Sequence, residues 1–374
     1  MHKKLNVLFL CGWYPSKILP TNGDFIQRHA EAVALNNNVF VLHIISKNNA
    51  NKKTTFTSET VNGVRANIAY IPSTKNPFLK FFYFTMAFKK LLKNIGNFDV
   101  VHLNEIYPFG IFSLYLKWFQ KKKYIITEHF TGYYKTENIS FFKKKICQII
   151  TSNSSFICPV SKELEQKLKQ LHFKGNYKIV PNVVDTNLFK VGVKKHDFLR
   201  LVHVSSLKNS HKNIKGMLRV AKLLDDKLEK FEWNFIGNNG EEYKNLVSDL
   251  NLKNGEIIFL EHISQKALVK HLQAASICIS FSNFETFGIV IPEAIACGTP
   301  VISTKTGIAL DLQAKDYCEV IAIKDENALL KSILNAGQTF KNIDATKMHL
   351  FIKKHFEQQV VCKSFTELYK NLIP

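Results

Sequence analysis

Residues 277–304 read ICISFSNFETFGIVIPEAIACGTPVIST, and this stretch decides the fold. A short β-prone run, 277–281, is followed by a loop that carries Glu285 and Gly288. The apolar spacing over 288–296 predicts a helix, and Gly298-Thr299-Pro300 ends it before another β-prone run at 300–303. Strand, loop, helix and strand in so short a span form a βαβ unit, which joins parallel strands.

The same alternation extends outward in both directions. Apolar runs at 199–205, 232–237 and 256–260 precede the unit, with helical spacing over 213–229, 241–251, 264–273 and 325–336. The first half has runs at 5–11, 38–45, 99–103, 123–127 and 155–160, and helical stretches at 24–35, 78–94, 107–119 and 141–151. Parallel strands covered on both faces are expected, in two doubly wound α/β domains. A chain of 374 residues has room for two. Residues 181–197 hold Pro, Asn and Gly with no sustained period. The division therefore falls at 1–180 and 181–374, with the last helix packing back on the first domain.

Composition excludes several classes. Apolar residues are 46% and charged residues 22%, which rules out a disordered chain. The seven cysteines are scattered without a CxxC pair, so neither a disulfide framework nor a zinc site is expected. No window is apolar enough to span a bilayer, and the apolar run after Lys3-Lys4 is too short for a leader and is broken by Trp13-Tyr14-Pro15. A cytoplasmic location follows, at most peripheral to the inner face of the membrane. Net charge is +21. Residues 1–180 carry +17 of it and residues 181–374 only +4, so the first half is the one that faces an anionic partner.

The loop before the 288–296 helix is the strongest candidate for chemistry. The backbone amides of Thr286, Phe287, Gly288 and Ile289 are placed to donate to an anion or a sugar oxygen. Gly288 allows close approach of a ligand. Glu293 lies about two helical turns beyond Glu285, and two carboxylates at a helix mouth suit sugar hydroxyls. On spacing alone, a Glu that offsets the helix dipole and an exposed Glu further along fit equally well.

The segment ETFGIVIPEAIACGTPVIST closely resembles the E-x7-E signature of retaining GT-B glycosyltransferases, particularly glycosyltransferase family 4. VPNVVDTNLF (180–189) resembles that family's PNGVD…F segment, and WYPS…NGDFIQRHAEA (13–32) its opening loop and helix. The resemblance implies a GT-B fold, two Rossmann-like domains facing a central cleft. It implies that the N-terminal domain takes a glycan or lipid-linked acceptor and the C-terminal domain a nucleotide-diphosphate sugar. Transfer would retain configuration, without a metal or other cofactor, in bacterial-type surface polysaccharide or glycolipid synthesis.

Carried over residue by residue, the family's roles assign Glu285 to hydroxyls of the donor sugar and Glu293 to the ribose. Lys212 matches the lysine of the phosphate clamp. Ser206 stands where the clamp Arg is usual; Lys208 either takes over that charge or is a solvated surface lysine. His129, after the strand ending in Ile126-Thr127, matches a histidine near the donor sugar. Its neighbour Glu128 fits either an acceptor of the transferred proton or an exposed surface carboxylate. Gly23 either lets the first loop bend over the donor phosphates or forms an ordinary Asn-Gly turn. His102 and Glu105 suit acceptor contact or a structural role.

The stretch 76–93, NPFLKFFYFTMAFKKLLK, interleaves Phe and Tyr with lysines, as a helix on an anionic membrane surface would, and equally as a helix with an ordinary apolar face and a lysine-rich solvated side. The segments 119–123 and 141–146 add to it. Two alternatives come from other classes: a basic nucleic-acid-binding protein and a catalytically degenerate GT-B binding subunit. The first is disfavoured because no nucleic-acid-reading motif is present and only four residues are Arg.

Overall fold

The computed structural model describes residues 4–48, 53–135, 139–193 and 197–373. The first half forms a seven-stranded sheet in the order β3-β4-β2-β1-β5-β6-β7. Its strands are β1 (Asn6–Cys11), β2 (Asn38–Lys47), β3 (Thr55–Val61), β4 (Val64–Pro72), β5 (Val100–Asn104), β6 (Tyr124–Glu128) and β7 (Phe156–Pro159). The inner strands are buried on both faces; all five residues of β5, VVHLN, are covered. Helices α1 (Asp24–Ala34), α2 (Pro77–Ile95), α3 (Gly110–Gln120) and α4 (Phe141–Asn153) are the crossovers. α1 buries Ile26, His29, Ala30 and Val33, the i, i+3, i+4, i+7 face that its sequence presents.

Pairing is parallel throughout this sheet except between β3 and β4. That antiparallel hairpin, unforeseen from the sequence, turns at Asn62-Gly63. Both residues have positive φ, 49° and 80°, as a tight hairpin turn requires. β3, TFTSETV, lies on the sheet edge and is mostly exposed. It has no apolar run because most of its side chains face solvent, Phe56 under Lys90 being the main exception.

Helix α5 (Lys162–Gln170) follows β7. The second half then forms a six-stranded, wholly parallel sheet. The strands are β8 (Leu199–Val204), β9 (Phe231–Ile236), β10 (Gly255–Leu260), β11 (Ile277–Ser280), β12 (Val301–Thr304) and β13 (Cys318–Ile321). Between them run α6 (Asn209–Lys212), α7 (Ile214–Asp225), α8 (Lys244–Asp249), α9 (Gln265–Ala274), α10 (Val290–Ala296) and α11 (Ala309–Leu312), and α12 (Glu326–Thr339), α13 (Ala345–Phe356) and α14 (Gln358–Lys370) close the chain. The order β10-β9-β8-β11-β12-β13 is the 3-2-1-4-5-6 order of a Rossmann sheet. α7 buries Ile214, Met217, Leu218, Ala221 and Leu224 against it.

The chain divides into two compact units. The first is Met1–Val160, Glu165–Val183 and Gln358–Pro374; the second is Ser161–Leu164 and Val184–Glu357. The main crossing, at Val183/Val184, lies a few residues beyond the expected 180/181 division, and Ser161–Leu164 joins the second unit before it. α14 belongs to the first unit, where Val361, Phe365 and Tyr369 join the core made by β1, β2 and α1. All seven cysteines are free and buried.

Candidate active site

In a doubly wound sheet ligands bind at the carboxyl ends of the strands, where the strand order reverses. In the second unit that point lies between β8 and β11, so the loops leaving these two strands meet there. The loop after β8 leads into α6, whose last residue is Lys212. The loop after β11 carries Glu285. The Lys212 ammonium donates to Glu285 Oε1, a direct ion pair between residues 73 positions apart. Ser282 Oγ donates to the same oxygen at 2.8 Å. The two charged side chains are 18% and 11% exposed, sheltered but open at one side.

The loops are fixed from below. His203, in β8, is buried, and burial lowers its pKa to about 4, with the nearby Lys212 charge adding to the effect. The ring is therefore neutral. Nδ1 faces the Ile279 carbonyl at 2.8 Å and so carries the proton, while Nε2 accepts from Ser205 Oγ at 2.8 Å. Ser205 Oγ in turn accepts the Leu207 N–H at 3.0 Å, which holds Leu207 at φ 54°. Gly237, at the end of β9, has φ 143°, and a Cβ there would lie 1.6 Å from the Ser205 carbonyl oxygen. Only glycine lets the two strand ends approach so closely. The second loop is tied to α6 by Asn283, whose N–H donates to the His211 carbonyl at 2.8 Å.

α10 begins at Val290, later than the helix expected from 288, because Gly288 adopts φ 80° and interrupts the helical backbone. The N–H groups of Thr286, Phe287, Gly288 and Ile289 have no acceptor among the described residues. The carbonyls of this segment are occupied: Thr286 accepts from Ser161 Oγ at 2.6 Å and Phe287 from the Ile308 N–H at 2.8 Å. The Phe287 side chain is buried. The loop thus presents donors beside Glu285 while its acceptors face the protein. Glu293 is on α10 and only 2% exposed, near Cys278 and Cys297, whose thiols burial raises and the Glu293 charge raises further. Lys208 starts α6, is exposed, and its ammonium has no partner among the described residues. Ser282 and His203 were not apparent from the sequence, since neither stands at a spacing that distinguishes it from other strand-end residues.

His129 and Gly23 belong to the first unit. His129 follows β6, is 4% exposed, and neither ring nitrogen has a hydrogen-bond partner among the described residues. Its ring packs on Phe25 at 4.6 Å and on His29 at 5.5 Å. Burial pushes its pKa well below the usual histidine range, with His29 and His102 adding to the effect. Both nitrogens are unpaired among the described residues but covered, so a ligand would reach them only if the surrounding side chains moved. Gly23 caps α1 at φ 78°, and a Cβ there would come within 2.8 Å of the Trp13 carbonyl carbon. This glycine has a local reason of its own, the close passage of the β1–α1 loop over Trp13.

Neither sequence reading of Glu128 holds. The residue is fully buried and satisfied: Oε1 accepts the N–H groups of His129 and Phe130, both at 2.7 Å. Oε2 accepts the Ile106 N–H at 2.9 Å and the Tyr133 hydroxyl at 3.1 Å. It is neither on the surface nor free to take a proton from an acceptor. His102 is also structural, bonded to Tyr369 Oη at 2.6 Å and Thr127 Oγ1 at 2.5 Å. Glu105 is buried at φ 71° beside Gly12, and its Oε1 has no partner among the described residues.

Comparison with known proteins gives matches along most of the chain. Residues 184–336 match the family described as glycosyl transferases group 1, and residues 32–188 match glycosyltransferase family 4. An uncharacterized glycosyltransferase of Methanocaldococcus jannaschii is 23% identical over 282 residues, which is 68% of this chain and 70% of that one. Among solved structures, sucrose-phosphate synthase from Thermosynechococcus elongatus superposes with a TM-score of 0.78 at 19% identity, covering 99% of both chains. HepE of Anabaena, solved in complex with UDP-glucose, superposes with a TM-score of 0.73 at 15% identity over 98% of this chain and 100% of that one. At these identities the two structures speak to the fold.

Proposed function

The chain belongs to the group 1 and family 4 glycosyltransferases of GT-B fold, and from that membership we propose that it moves a sugar from a nucleoside diphosphate to a glycan or lipid-linked acceptor with retention of configuration. The observation that carries this reading is the Lys212–Glu285 pair at the strand-order reversal of the second unit. A carboxylate held by one lysine and one serine hydroxyl can exchange either partner for a sugar hydroxyl. The lysine it releases then faces the diphosphate. The amides of Thr286 to Ile289 add donors on the same loop, Lys208 adds charge, and Glu293 is assigned to the ribose.

In the reaction the bond between the anomeric carbon and the phosphate oxygen breaks, and the acceptor oxygen bonds to that carbon on the same face. The acceptor proton passes to the departing diphosphate, which leaves as the nucleoside diphosphate. Lys212 stabilises the charge that develops there, the role for which preorganised cations are most effective. The reading needs no bound metal, since Lys212 supplies the neutralising charge. The first unit takes the acceptor, and His129 is assigned to orienting it, as in the family. The setting is surface polysaccharide or glycolipid synthesis.

Because HepE is solved with UDP-glucose, UDP-glucose heads the panel of nucleotide sugars to be screened by thermal stabilisation, which reports binding by mass action. Lys212→Ala is expected to weaken binding of the free nucleoside diphosphate by about tenfold or more, the size of one charge-assisted contact. Unchanged affinity in that variant would remove Lys212 from the site and with it the main support for the proposal.

A further inference from the structure

Among the described residues every exposed large aromatic side chain lies on α2, α3 or α4, or in the turn before α3. Phe78 is 85% exposed, Phe119 73% and Phe142 79%, values that a side chain seeking only a core does not reach. The three helices lie side by side on one face of the first unit's sheet. The Phe88 and Phe112 rings stack at 4.2 Å between α2 and α3, and Lys117 Nζ donates to the Asn153 carbonyl at 2.6 Å between α3 and α4. Together they contain eight lysines and no Asp or Glu.

The placement of these groups is specific. Each helix follows a strand that runs parallel to β1, so its N-terminus opens at the carboxyl edge of the sheet, the edge that carries His129. Phe78 and Phe81 occupy the start of α2, and Phe141 and Phe142 that of α4. Lys143, Lys144 and Lys145 sit in the first turns of α4, where the peptide dipoles already present positive charge. Lysines there are unfavourable for the helix and favourable for an anion. Lys143 lies over the Tyr107 and Phe130 rings at 5.2 and 5.0 Å, which keeps its charge at this rim.

We propose that this aromatic and lysine face docks on a bilayer containing anionic lipid and that the acceptor is presented from that bilayer. The phenylalanines of the first turns of α2 and α4 enter the headgroup region, and the lysines face lipid phosphates. No helix among the described residues is long and apolar enough to cross a membrane, so the contact is with its surface. A second copy of the chain is the poorer occupant, because it would set eight further lysines against these with no carboxylate on the helices to meet them. The identity of the acceptor rests on the glycosyltransferase reading; the docking itself does not.

The test is co-sedimentation of the full chain with vesicles of phosphatidylcholine alone or mixed with phosphatidylglycerol. Binding is expected to the mixed vesicles only and to fade as salt rises. Two exposed sets are then replaced, Phe141→Ser with Phe142→Ser, and Lys143→Gln with Lys144→Gln and Lys145→Gln. Each should weaken vesicle binding by roughly tenfold or more, while lipid-free nucleotide binding and melting temperature stay unchanged. Equal binding to both vesicle types, or binding untouched by both sets, overturns the proposal. So does a dimer in lipid-free sedimentation that the same substitutions abolish, or RNA binding in place of lipid binding. Loss of nucleotide binding with vesicle binding intact would instead count against the enzymatic reading alone.

Discussion

Glu285 and Glu128 each stand at the carboxyl end of a buried parallel strand, one in each unit, yet their surroundings differ in kind. Glu285 is held by a lysine and a serine hydroxyl, side chains that can turn away to admit a ligand. Glu128 is held by three backbone N–H groups and one phenol, and the backbone donors cannot leave without unfolding the loops after β5 and β6. A carboxylate bound by exchangeable side chains is available for chemistry, whereas one saturated by main chain is scaffold. The first unit repeats the theme with imidazoles. His102 has both nitrogens occupied, and His129, on the neighbouring strand's end, has neither occupied among the described residues.

The comparison breaks if substitutions at the two carboxylates have the same consequence. Glu285→Gln should lower the transfer rate by about a hundredfold or more, as losing one charged transition-state contact does, with little change in melting temperature. Steady-state kinetics beside a thermal melt decide it, and near-normal turnover would end the assignment. Glu128→Gln should do the reverse. Its amide would turn a donor toward backbone donors, at a cost of about 3 kcal/mol in stability. Denaturant unfolding should show that loss, while the protein that remains folded keeps its nucleotide affinity.

Acid sharpens the contrast between the units. Burial lowers the pKa of His29 and of His43 from 6.5 to about 4, and pushes those of His102 and His129 well below the usual range. The unfolded chain therefore takes up protons first. The stability these groups give is complete above about 6.5 and is lost as pH falls through about 4. At pH 5 the loss is about 2 kcal/mol for a group shifted like His29. Glu105 and Glu128, whose burial raises their pKa, act in the opposite sense and offset part of it. The second unit has one comparably buried histidine among its described residues, His203. Hydrogen exchange between pH 7 and pH 5 should show peptides of the first unit losing protection before those of Val184–Glu357. Loss in the opposite order would contradict the assignment of these histidines as buried and neutral.

The smallest effect is expected at Lys208. Exposed and without a partner among the described residues, it can act only as a point charge, so Lys208→Ala should weaken nucleoside-diphosphate binding by about threefold at low salt and not at all at high salt. A tenfold loss that persists in salt would make Lys208 a full member of the phosphate clamp beside Lys212.

Most strands were legible from apolar runs because parallel strands covered on both faces are mostly apolar, even where His102 and Asn104 interrupt β5. The hairpin of β3 and β4 was not, since TFTSETV lies on an exposed edge and carries no such run. β13, CEVI, was not read either: Glu319 interrupts it, whereas β7, β11 and β12, of the same length, carry no charge. Within the site, the Glu285–Glu293 spacing and Gly288 stood out in the chain itself, and Lys212 through the family resemblance. Ser282 and His203 did not, and Glu128 was misread, because what distinguishes it is the number of donors around it rather than its neighbours in sequence.

Local order therefore came from the sequence alone: alternating strands and helices, the loop bearing Glu285, and the basic first half all follow from side-chain period and composition within short windows. The tertiary structure decided which residues meet. Lys212 and Glu285 are 73 positions apart and pair because the strand order reverses between β8 and β11, which brings the two loops to one point. Glu128 and Ile106 meet because β5 and β6 are neighbours in the other sheet. Such encounters depend on sheet topology, which is set by the burial of whole elements against one another and leaves no period in the chain.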